Sequence, residues 1–222
     1  LIAGLCHFIS VFVGILIGIF SATNQYSIAD YFFTVIAFLG VSIPAFFLAL
    51  LMMYIFSFEL GMGVGCLFSD EYVMAPWSLA KVWDLIKHLW LPVIIVGFAG
   101  TARNMRIMRS NLLDVLGKQY IQTAKAKGLK NAVVIFKHAV KNAIKPIIMS
   151  MGSALPFLIT GEMVTSIVLD LPTTGPAFYN ALVNQDMYLA GSFLMMIAVF
   201  LIIGNLLADI VLAWVDPRVR YN

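Results

Sequence analysis

Long apolar runs with almost no charge constrain the fold of this chain more than any other feature of its sequence. Of its 222 residues, 62% are hydrophobic and 11% are charged, whereas soluble domains carry about 25% charged residues. A run of about 18 or more uncharged residues is long enough to cross a bilayer as one helix. Four or five such runs are visible, and they predict an all-α, polytopic transmembrane helix bundle of about five spans.

The predicted spans alternate with polar connections inside a single transmembrane domain that covers residues 1–222. The spans run approximately over 1–20, 31–58, 85–109, 147–169 and 188–215. An external loop is expected over 59–84 and a cytoplasmic loop over 110–145. Three spans contain proline, which a bundle tolerates because neighbouring groups satisfy the freed backbone carbonyls. We interpret Pro44, Pro92 and Pro156 as packing kinks rather than gating hinges.

Basic residues are concentrated in one segment, which sets the expected orientation. Between Arg103 and Lys145 there are ten Lys and Arg residues and one acid, Asp114. The positive-inside rule therefore places this segment and the C-terminal tail in the cytoplasm, with the acidic loop over 59–84 outside. This orientation puts Leu1 outside. Because the chain begins with Leu rather than Met, we expect a further span upstream of it.

The basic segment has the pattern of two helices joined at a glycine. Helix-forming residues fill Leu112 to Lys127, and a helical pattern resumes at Lys130. Gly128 lies between them, where a left-handed helix cap is expected because glycine adopts that conformation without a clash. One face of the second helix is predicted to be apolar, with Val133, Phe136, Val140 and Ile144. From composition alone, a basic amphipathic element lying on anionic lipid is an equally good interpretation.

The stretch "YIQTAKAKGLKNAVVIFKHAVKNAIKPI", from Tyr120 to Ile147, resembles the cytoplasmic coupling loop of ABC importer permeases of the oligopeptide, dipeptide and nickel branch. The matching residues are Tyr120, Thr123, Ala124, Ala126, Lys127, Gly128, His138, Ala139, Asn142, Ala143 and Pro146. The resemblance continues in "ARNMRIMRSNLLDVLGKQY", "LPTTGP", "NQDMYLAGS" and "NLLADIVLAWVDPRVR". One departure is that Gln122, Thr123 and Ala124 stand where the wider superfamily has Glu-Ala-Ala, although this branch commonly lacks that glutamate.

The resemblance implies the translocation subunit of an ATP-driven importer in a bacterial or archaeal plasma membrane. Its expected partners are a second permease subunit, two cytoplasmic ATPase subunits, an external substrate-binding protein and the lipid bilayer. ATP and Mg would be bound by the ATPase subunits. The residues expected to couple to the ATPase are Gln122, Thr123, Ala124, Ala126, Lys127 and Gly128. Di- and oligopeptides are the expected substrates, with glutathione and nickel chelates left open.

No catalytic, cofactor or metal site is expected in the chain itself. The phosphate-binding motif G-x-x-x-x-G-K-[ST] does not occur in the sequence, and the three histidines and two cysteines lack metal-ligand spacing. A nucleic-acid role is disfavoured because the basic segment is tethered by spans and lacks interleaved aromatic residues. Two alternatives stay open: a secondary transporter, which would typically show inverted repeats, and a membrane scaffold that only binds lipid.

Ionisable residues inside the spans are functional candidates because burying them in a bilayer is costly. Glu162 matches a glutamate of the resembled family and is expected near the outer mouth of the pathway. Asp209 is expected to pair with an arginine such as Arg103 or Arg106 as a structural ion pair. The candidate pathway residues are Ser42, Pro44, Thr160 and Glu162.

Overall fold

The computed structural model describes residues 2–160 and 163–215, which form helices and connecting turns without any strand. The α-helices are α1 (Ile2–Thr23), α2 (Ile28–Ser42), α3 (Ala45–Met53), α4 (Asp70–Val73), α5 (Leu79–Leu116), α6 (Gln119–Ala126), α7 (Asn131–Val133), α8 (Lys141–Ala143), α9 (Lys145–Met151), α10 (Ala154–Thr160), α11 (Met163–Val168), α12 (Thr174–Val183) and α13 (Met187–Val215). Two stretches of π-helix cover Tyr54–Glu59 and Val134–Val140. The predicted all-α, polytopic bundle is confirmed.

Three described helices, α1, α5 and α13, are long and apolar enough to cross a membrane. A fourth crossing is formed if α2 and the segment Ala45–Glu59 count as one span bent by 97°. The span predicted over 31–58 with a packing kink at Pro44 is thus two helices that meet at a sharp bend. The bend lies at Ile43, whose backbone is extended (φ −88°, ψ 121°), and Pro44 follows it. Proline disfavours the helical conformation of the preceding residue and has no N–H to donate.

The fourth predicted span, 147–169, is interrupted by a turn in the described residues instead of forming one long helix. A turn at Gly152 separates α9 from α10, and this turn packs tightly against α13. A Cβ atom at Gly152 would lie 2.5 Å from Oδ1 of Asn205, and one at Gly204 would lie 2.1 Å from the Gly152 carbonyl oxygen. Glycine at both positions lets the two backbones approach closely.

Helix α5 is the centre of the bundle and is longer than predicted. Its 38 residues correspond to about 57 Å at 1.5 Å per residue, which exceeds the hydrocarbon core of about 30 Å. It begins at Leu79, inside the loop predicted over 59–84, because Ser78 caps it by accepting a hydrogen bond from the Lys81 backbone N–H (3.2 Å). The basic residues Arg103, Arg106 and Arg109 lie on its C-terminal half.

Helix α1 runs parallel to α5 through contacts between small residues. The Ser10 hydroxyl donates to the Gly97 carbonyl (3.1 Å). Further along, a Cβ atom at Gly18 would lie 2.7 Å from Cβ of Met108. Helix α2 runs antiparallel to α5, and a Cβ atom at Gly40 would lie 2.8 Å from Cβ of Ala102. These directions agree with α1 and α5 crossing a membrane in the same sense.

Candidate functional site

The predicted coupling residues lie on α6, a separate short helix beyond the end of α5. The helix-forming stretch Leu112–Lys127 was expected to be continuous, but α5 ends at Leu116 and Lys118 is extended (φ −72°, ψ 148°). The chain therefore turns before α6 begins. On α6, Ile121 is fully buried and Ala124 is 8% exposed, so one side of this helix faces the rest of the protein.

Gly128 ends α6 in the left-handed conformation that the sequence predicts. Its φ angle is +73°, a value that residues with a side chain adopt only at a cost. The Gly128 N–H donates to the Lys125 carbonyl (2.9 Å), and the Leu129 N–H donates to the Ala124 carbonyl (3.4 Å). These bonds satisfy carbonyls at the helix end. The chain then reverses into α7, and we call residues 119–143 the elbow.

The second arm of the elbow does not bury the face that a regular α-helix would bury. Val133 and Phe136, on the face predicted to be apolar, are 38% and 62% exposed. Instead, Val134 and Ala139 are fully buried. These two residues are five apart and share a face because Val134–Val140 is π-helical, and a π-helix bonds each residue to the fifth along. The apolar face predicted from regular helical spacing is therefore not the face that packs on the core at Val133 and Phe136.

A single apolar core fixes both arms of the elbow to the ends of α1 and α5. Its buried residues are Ala22, Met108, Leu112, Ile121, Ala124, Val134, Ala139, Ala143 and Ile147. Two hydrogen bonds reinforce the packing: the Asn142 side-chain amide donates to the Tyr120 hydroxyl (3.1 Å), and the Asn111 amide donates to the Ala143 carbonyl (3.4 Å). Because cores are close-packed, the elbow cannot shift without displacing α1 and α5.

The outer side of α6 is exposed. Five of the predicted coupling residues are exposed there: Gln122, Thr123, Ala126, Lys127 and Gly128. Ala124 is the exception, because it faces the apolar core of this chain. The Thr123 hydroxyl donates to the Gln119 carbonyl within the helix (3.0 Å). The exposed side of α6 is therefore narrow and consists mostly of small residues and two lysines. The opposite side of the helix is fixed in the apolar core.

Sequence reasoning missed a buried ion pair beside the elbow. Asp30, at the start of α2, is 1% exposed, and Arg109 of α5 contacts both of its carboxylate oxygens at 2.8 Å. The carboxylate also accepts hydrogen bonds from the Ser21 hydroxyl at the end of α1 and from the Tyr26 N–H (2.9 Å). One carboxylate therefore joins α1, α2 and α5. In the sequence, the only sign of this ion pair was an acidic residue next to one predicted span and an arginine at the end of another.

The ion pair predicted for Asp209 is not found among residues 2–160 and 163–215. Asp209 is exposed on α13 and pairs with neither Arg103 nor Arg106. The Arg106 guanidinium instead lies 4.7 Å from the ring centre of Phe38. The prediction failed because it used only the depth of each residue in the membrane. Depth does not determine which sides of two helices face each other.

The four candidate pathway residues are not brought together. Ser42 and Pro44 are exposed at the break between α2 and α3, whereas Thr160 is half-buried at the end of α10. The Thr160 hydroxyl donates to the Pro156 carbonyl of its own helix (3.3 Å). Glu162 lies outside the described residues. The described part of the chain holds no group of three or more His, Cys, Asp or Glu residues that could bind a metal ion.

Residues 14–221, which include the elbow and its supporting helices, match the family described as binding-protein-dependent transport system inner membrane component. The chain belongs to this family. It is 35% identical over 213 residues to the oligopeptide transport system permease protein AppB of Bacillus subtilis, covering 96% of this chain and 66% of that protein. The dipeptide transport system permease protein DppB of Alkalihalophilus pseudofirmus is 34% identical, over 96% of this chain and 68% of that protein.

The oligopeptide transport system permease protein OppB of Haemophilus influenzae is 35% identical, over 96% of this chain and 65% of that protein. The chain thus spans about two thirds of the length of these relatives. Membership in a family of inner-membrane transport components agrees with the long apolar helices and with the large apolar side chains that they expose.

Proposed function

We propose that this chain is the translocation subunit of an ATP-driven importer for di- and oligopeptides. The observation that carries the proposal is the elbow: an exposed helix, α6, whose buried side shares one apolar core with α1 and α5. The names of the relatives support peptides as the cargo. The proposed location is the plasma membrane of a bacterium or archaeon, with the elbow and the C-terminus in the cytoplasm.

The elbow acts as the mechanical link between nucleotide hydrolysis and the spans. A cytoplasmic ATPase subunit holds the exposed side of α6, where Ala126 and Gly128 allow close approach. When the two ATPase subunits close on ATP and Mg, which they bind themselves, α6 is displaced. The apolar core passes that displacement to α1 and α5, because Ile121 and Ala124 belong to the same buried cluster as Ala22 of α1 and Leu112 and Met108 of α5. The chain itself contributes no catalytic residue.

The complete importer contains partners that this chain would contact on different sides. A second permease subunit, or another copy of this one, completes the transmembrane part. An external substrate-binding protein delivers the peptide at the end opposite the elbow. The lysines around α6 are exposed and face either an acidic ATPase surface or lipid phosphates. Each exposed ion pair formed by one of these lysines contributes roughly 0–1 kcal/mol. Shape complementarity at the small residues of α6 therefore contributes more to the contact.

Substitution of a small exposed residue on α6 tests the link. Ala126→Trp places a bulky side chain on the outer side, where it does not touch the apolar core. We expect peptide uptake by the reconstituted importer to fall at least tenfold and the ATPase subunits to be lost on purification. Ala177→Trp is the matched control, since Ala177 is also exposed on a helix, α12, outside the elbow. Its uptake should match that of the unaltered chain.

Three results would contradict the proposal. Normal uptake with Ala126→Trp would exclude α6 as the docking helix. Uptake that persists when the ATPase subunits are omitted would favour a secondary transporter instead. Binding of anionic vesicles by a chain that neither recruits an ATPase nor moves peptide would favour a lipid-binding scaffold.

A further inference from the structure

A groove with a volume of about 750 Å³ lies between α2 and the C-terminal half of α5. Three arginines of α5 line it, Arg103, Arg106 and Arg109. They are three residues apart, so each lies nearly one turn further along the helix than the one before it. Helix α2 contributes the apolar side chains of Phe38 and Val41. We call this the basic groove.

Two of the three arginines keep their charge available to a ligand. Arg109 is paired with Asp30 at 2.8 Å, so its charge is compensated within the fold. Arg103 and Arg106 are exposed, and neither forms an ion pair with an acid in the described part of the chain. One acid, Asp114, also lines the groove. It lies about 12 Å beyond Arg106 along the helix, which exceeds the screening length of about 8 Å at physiological ionic strength.

The two available arginines lie where the uncharged part of α5 ends. Between Lys87 and Arg103 the helix contains no Lys, Arg, Asp or Glu. These two residues are about 24 Å apart at 1.5 Å per residue, which is less than the hydrocarbon core of about 30 Å. Their long side chains therefore extend to the two membrane interfaces. Arg106, nearly one turn further, lies at the depth of lipid headgroups, in the inner leaflet if the chain has the proposed orientation.

The α2 wall of the basic groove is apolar and level with the membrane end of the arginines. A Cβ atom at Gly40 would lie 2.8 Å from Cβ of Ala102, so this part of α2 lies beside the last uncharged residue of α5. The neighbouring side chains of Phe38 and Val41 are 53% and 48% exposed. The Arg106 guanidinium lies 4.7 Å from the ring centre of Phe38. The groove therefore presents cations directly beside exposed apolar side chains.

We infer that the basic groove binds an anionic phospholipid, with the phosphate at Arg103 and Arg106 and an acyl chain along Phe38 and Val41. A guanidinium binds phosphate oxygens with paired hydrogen bonds, and basic pockets between spans on the cytoplasmic side suit anionic headgroups. A free phosphate would use the arginines alone and leave the apolar wall uncovered. A phospholipid covers both parts of the groove and contacts α2 and α5 together.

Removal of the two available charges tests the site. In the purified complex that contains this chain, we expect Arg103→Gln with Arg106→Gln to weaken the binding of dioleoyl phosphatidylglycerol at least tenfold, as measured by native mass spectrometry. Lys87→Gln with Lys118→Gln is the matched control, because it removes the same charge from exposed positions outside the groove. The control should change the affinity less than twofold. Dioleoyl phosphatidylcholine, which has the same acyl chains and no net charge, should bind the unaltered chain at least tenfold more weakly.

Fluorescence quenching tests the position of the lipid without any change at the arginines. Val41→Trp places a fluorophore in the basic groove, and Ile94→Trp places one on an exposed part of α5 outside it. In phosphatidylcholine vesicles, acyl-brominated phosphatidylglycerol should quench the fluorescence added by Val41→Trp at least threefold more than the same fraction of acyl-brominated phosphatidylcholine. The two brominated lipids should quench the fluorescence added by Ile94→Trp equally.

Four results would overturn the inference. An equal loss of affinity in the arginine variant and the lysine control would leave only unspecific attraction between charges. Displacement of the lipid by excess inorganic phosphate would assign the groove to a free anion. Equal quenching at Val41→Trp by both brominated lipids would show no preference for an anionic headgroup. Quenching by neither would show that another protein segment covers the groove.

These measurements do not depend on peptide transport. A complex that moves no peptide, yet binds phosphatidylglycerol through Arg103 and Arg106, would contradict the proposed function and leave the lipid site supported. A complex that moves peptide and binds both lipids equally would support the proposed function and exclude the lipid site.

Discussion

At the scale of single residues, the carboxylate of Asp30 holds three helices together beside the elbow. It receives two hydrogen bonds from Arg109 and others from Ser21 and Tyr26. A buried ion pair is costly to form unless its charges are fully hydrogen-bonded, and here the carboxylate is. Removing the carboxylate is unfavourable because the Arg109 guanidinium would then stay largely buried without a counter-charge.

We therefore expect Asp30→Asn to lower the free energy of unfolding by about 3 kcal/mol, since breaking a buried pair costs about 3–5 kcal/mol. Arg106→Gln is the control, because Arg106 is exposed and its guanidinium lies against the Phe38 ring, a contact worth about 0.5–1 kcal/mol. Unfolding in mixed detergent, followed by tryptophan fluorescence, measures both. Equal effects of the two substitutions would show that the pair contributes no more than a surface contact.

Residue-scale features could be predicted from the sequence only where they are local. The left-handed conformation of Gly128 follows from helix patterns on both sides of a glycine. The pairing of Asp30 with Arg109 depends on how α2 and α5 face each other across a separation of 79 residues. The same limitation explains the incorrect pairing of Asp209, since charge and depth in a span do not determine rotation about a helix axis.

At the scale of elements, hydropathy predicted where helices are but not where they break. Runs of apolar residues identified α1, α5 and α13 correctly as long helices. The break at Ile43 and the turn at Gly152 depend on local backbone preference and on close contact with α13, which composition does not encode. The π-helical stretch in the elbow was also unpredictable, because a periodicity of 3.6 residues was assumed throughout.

The π-helical register makes a prediction about two adjacent valines. Val134 is fully buried and Val133 is 38% exposed, although regular α-helical spacing places Val133, not Val134, on the apolar face. We expect Val134→Ala to destabilise the elbow by about 2 kcal/mol, because it removes buried methyl groups and leaves a cavity. Val133→Ala should cost less than about 0.5 kcal/mol. Amide hydrogen exchange over residues 131–143 reports both values, and a larger effect at Val133 would contradict the described register.

At the scale of the whole molecule, burial divides the long helices into a centre and a periphery. In the most apolar section of each helix, 39% of the residues are buried in α5, 22% in α1 and 11% in α13. Exposed apolar faces of this extent suit contact with lipid or with another transmembrane subunit. Helix α5, with the elbow at one end, is therefore the central helix of the described residues, and α13 is the most peripheral of the three.

The two native cysteines provide a test of the orientation of the whole molecule. Cys66, in the loop before α5, is exposed, and Cys6 in α1 is 1% exposed. Since that loop is expected outside, a membrane-impermeant maleimide applied to intact cells should label Cys66 and not Cys6. In a Cys66→Ser background, Lys125→Cys on α6 should be labelled only after the cells are permeabilised. Labelling of Lys125→Cys in intact cells would place the elbow outside and remove the basis for its contact with an ATPase.

The pH dependence of that labelling identifies the reacting thiol as Cys66. Partial desolvation of this otherwise exposed side chain and the neighbouring Asp170 carboxylate, whose Oδ2 lies 3.7 Å from Sγ, raise the pKa of the Cys66 thiol. Because the thiolate is the reactive form, labelling should be slow at neutral pH and should accelerate only as the pH rises towards that raised pKa. Asp170→Asn removes the negative charge, lowers the pKa of Cys66 and moves the acceleration to lower pH. An unchanged pH profile in Asp170→Asn would mean that the labelled thiol is not in contact with Asp170, and the loop would not have the described arrangement in the membrane.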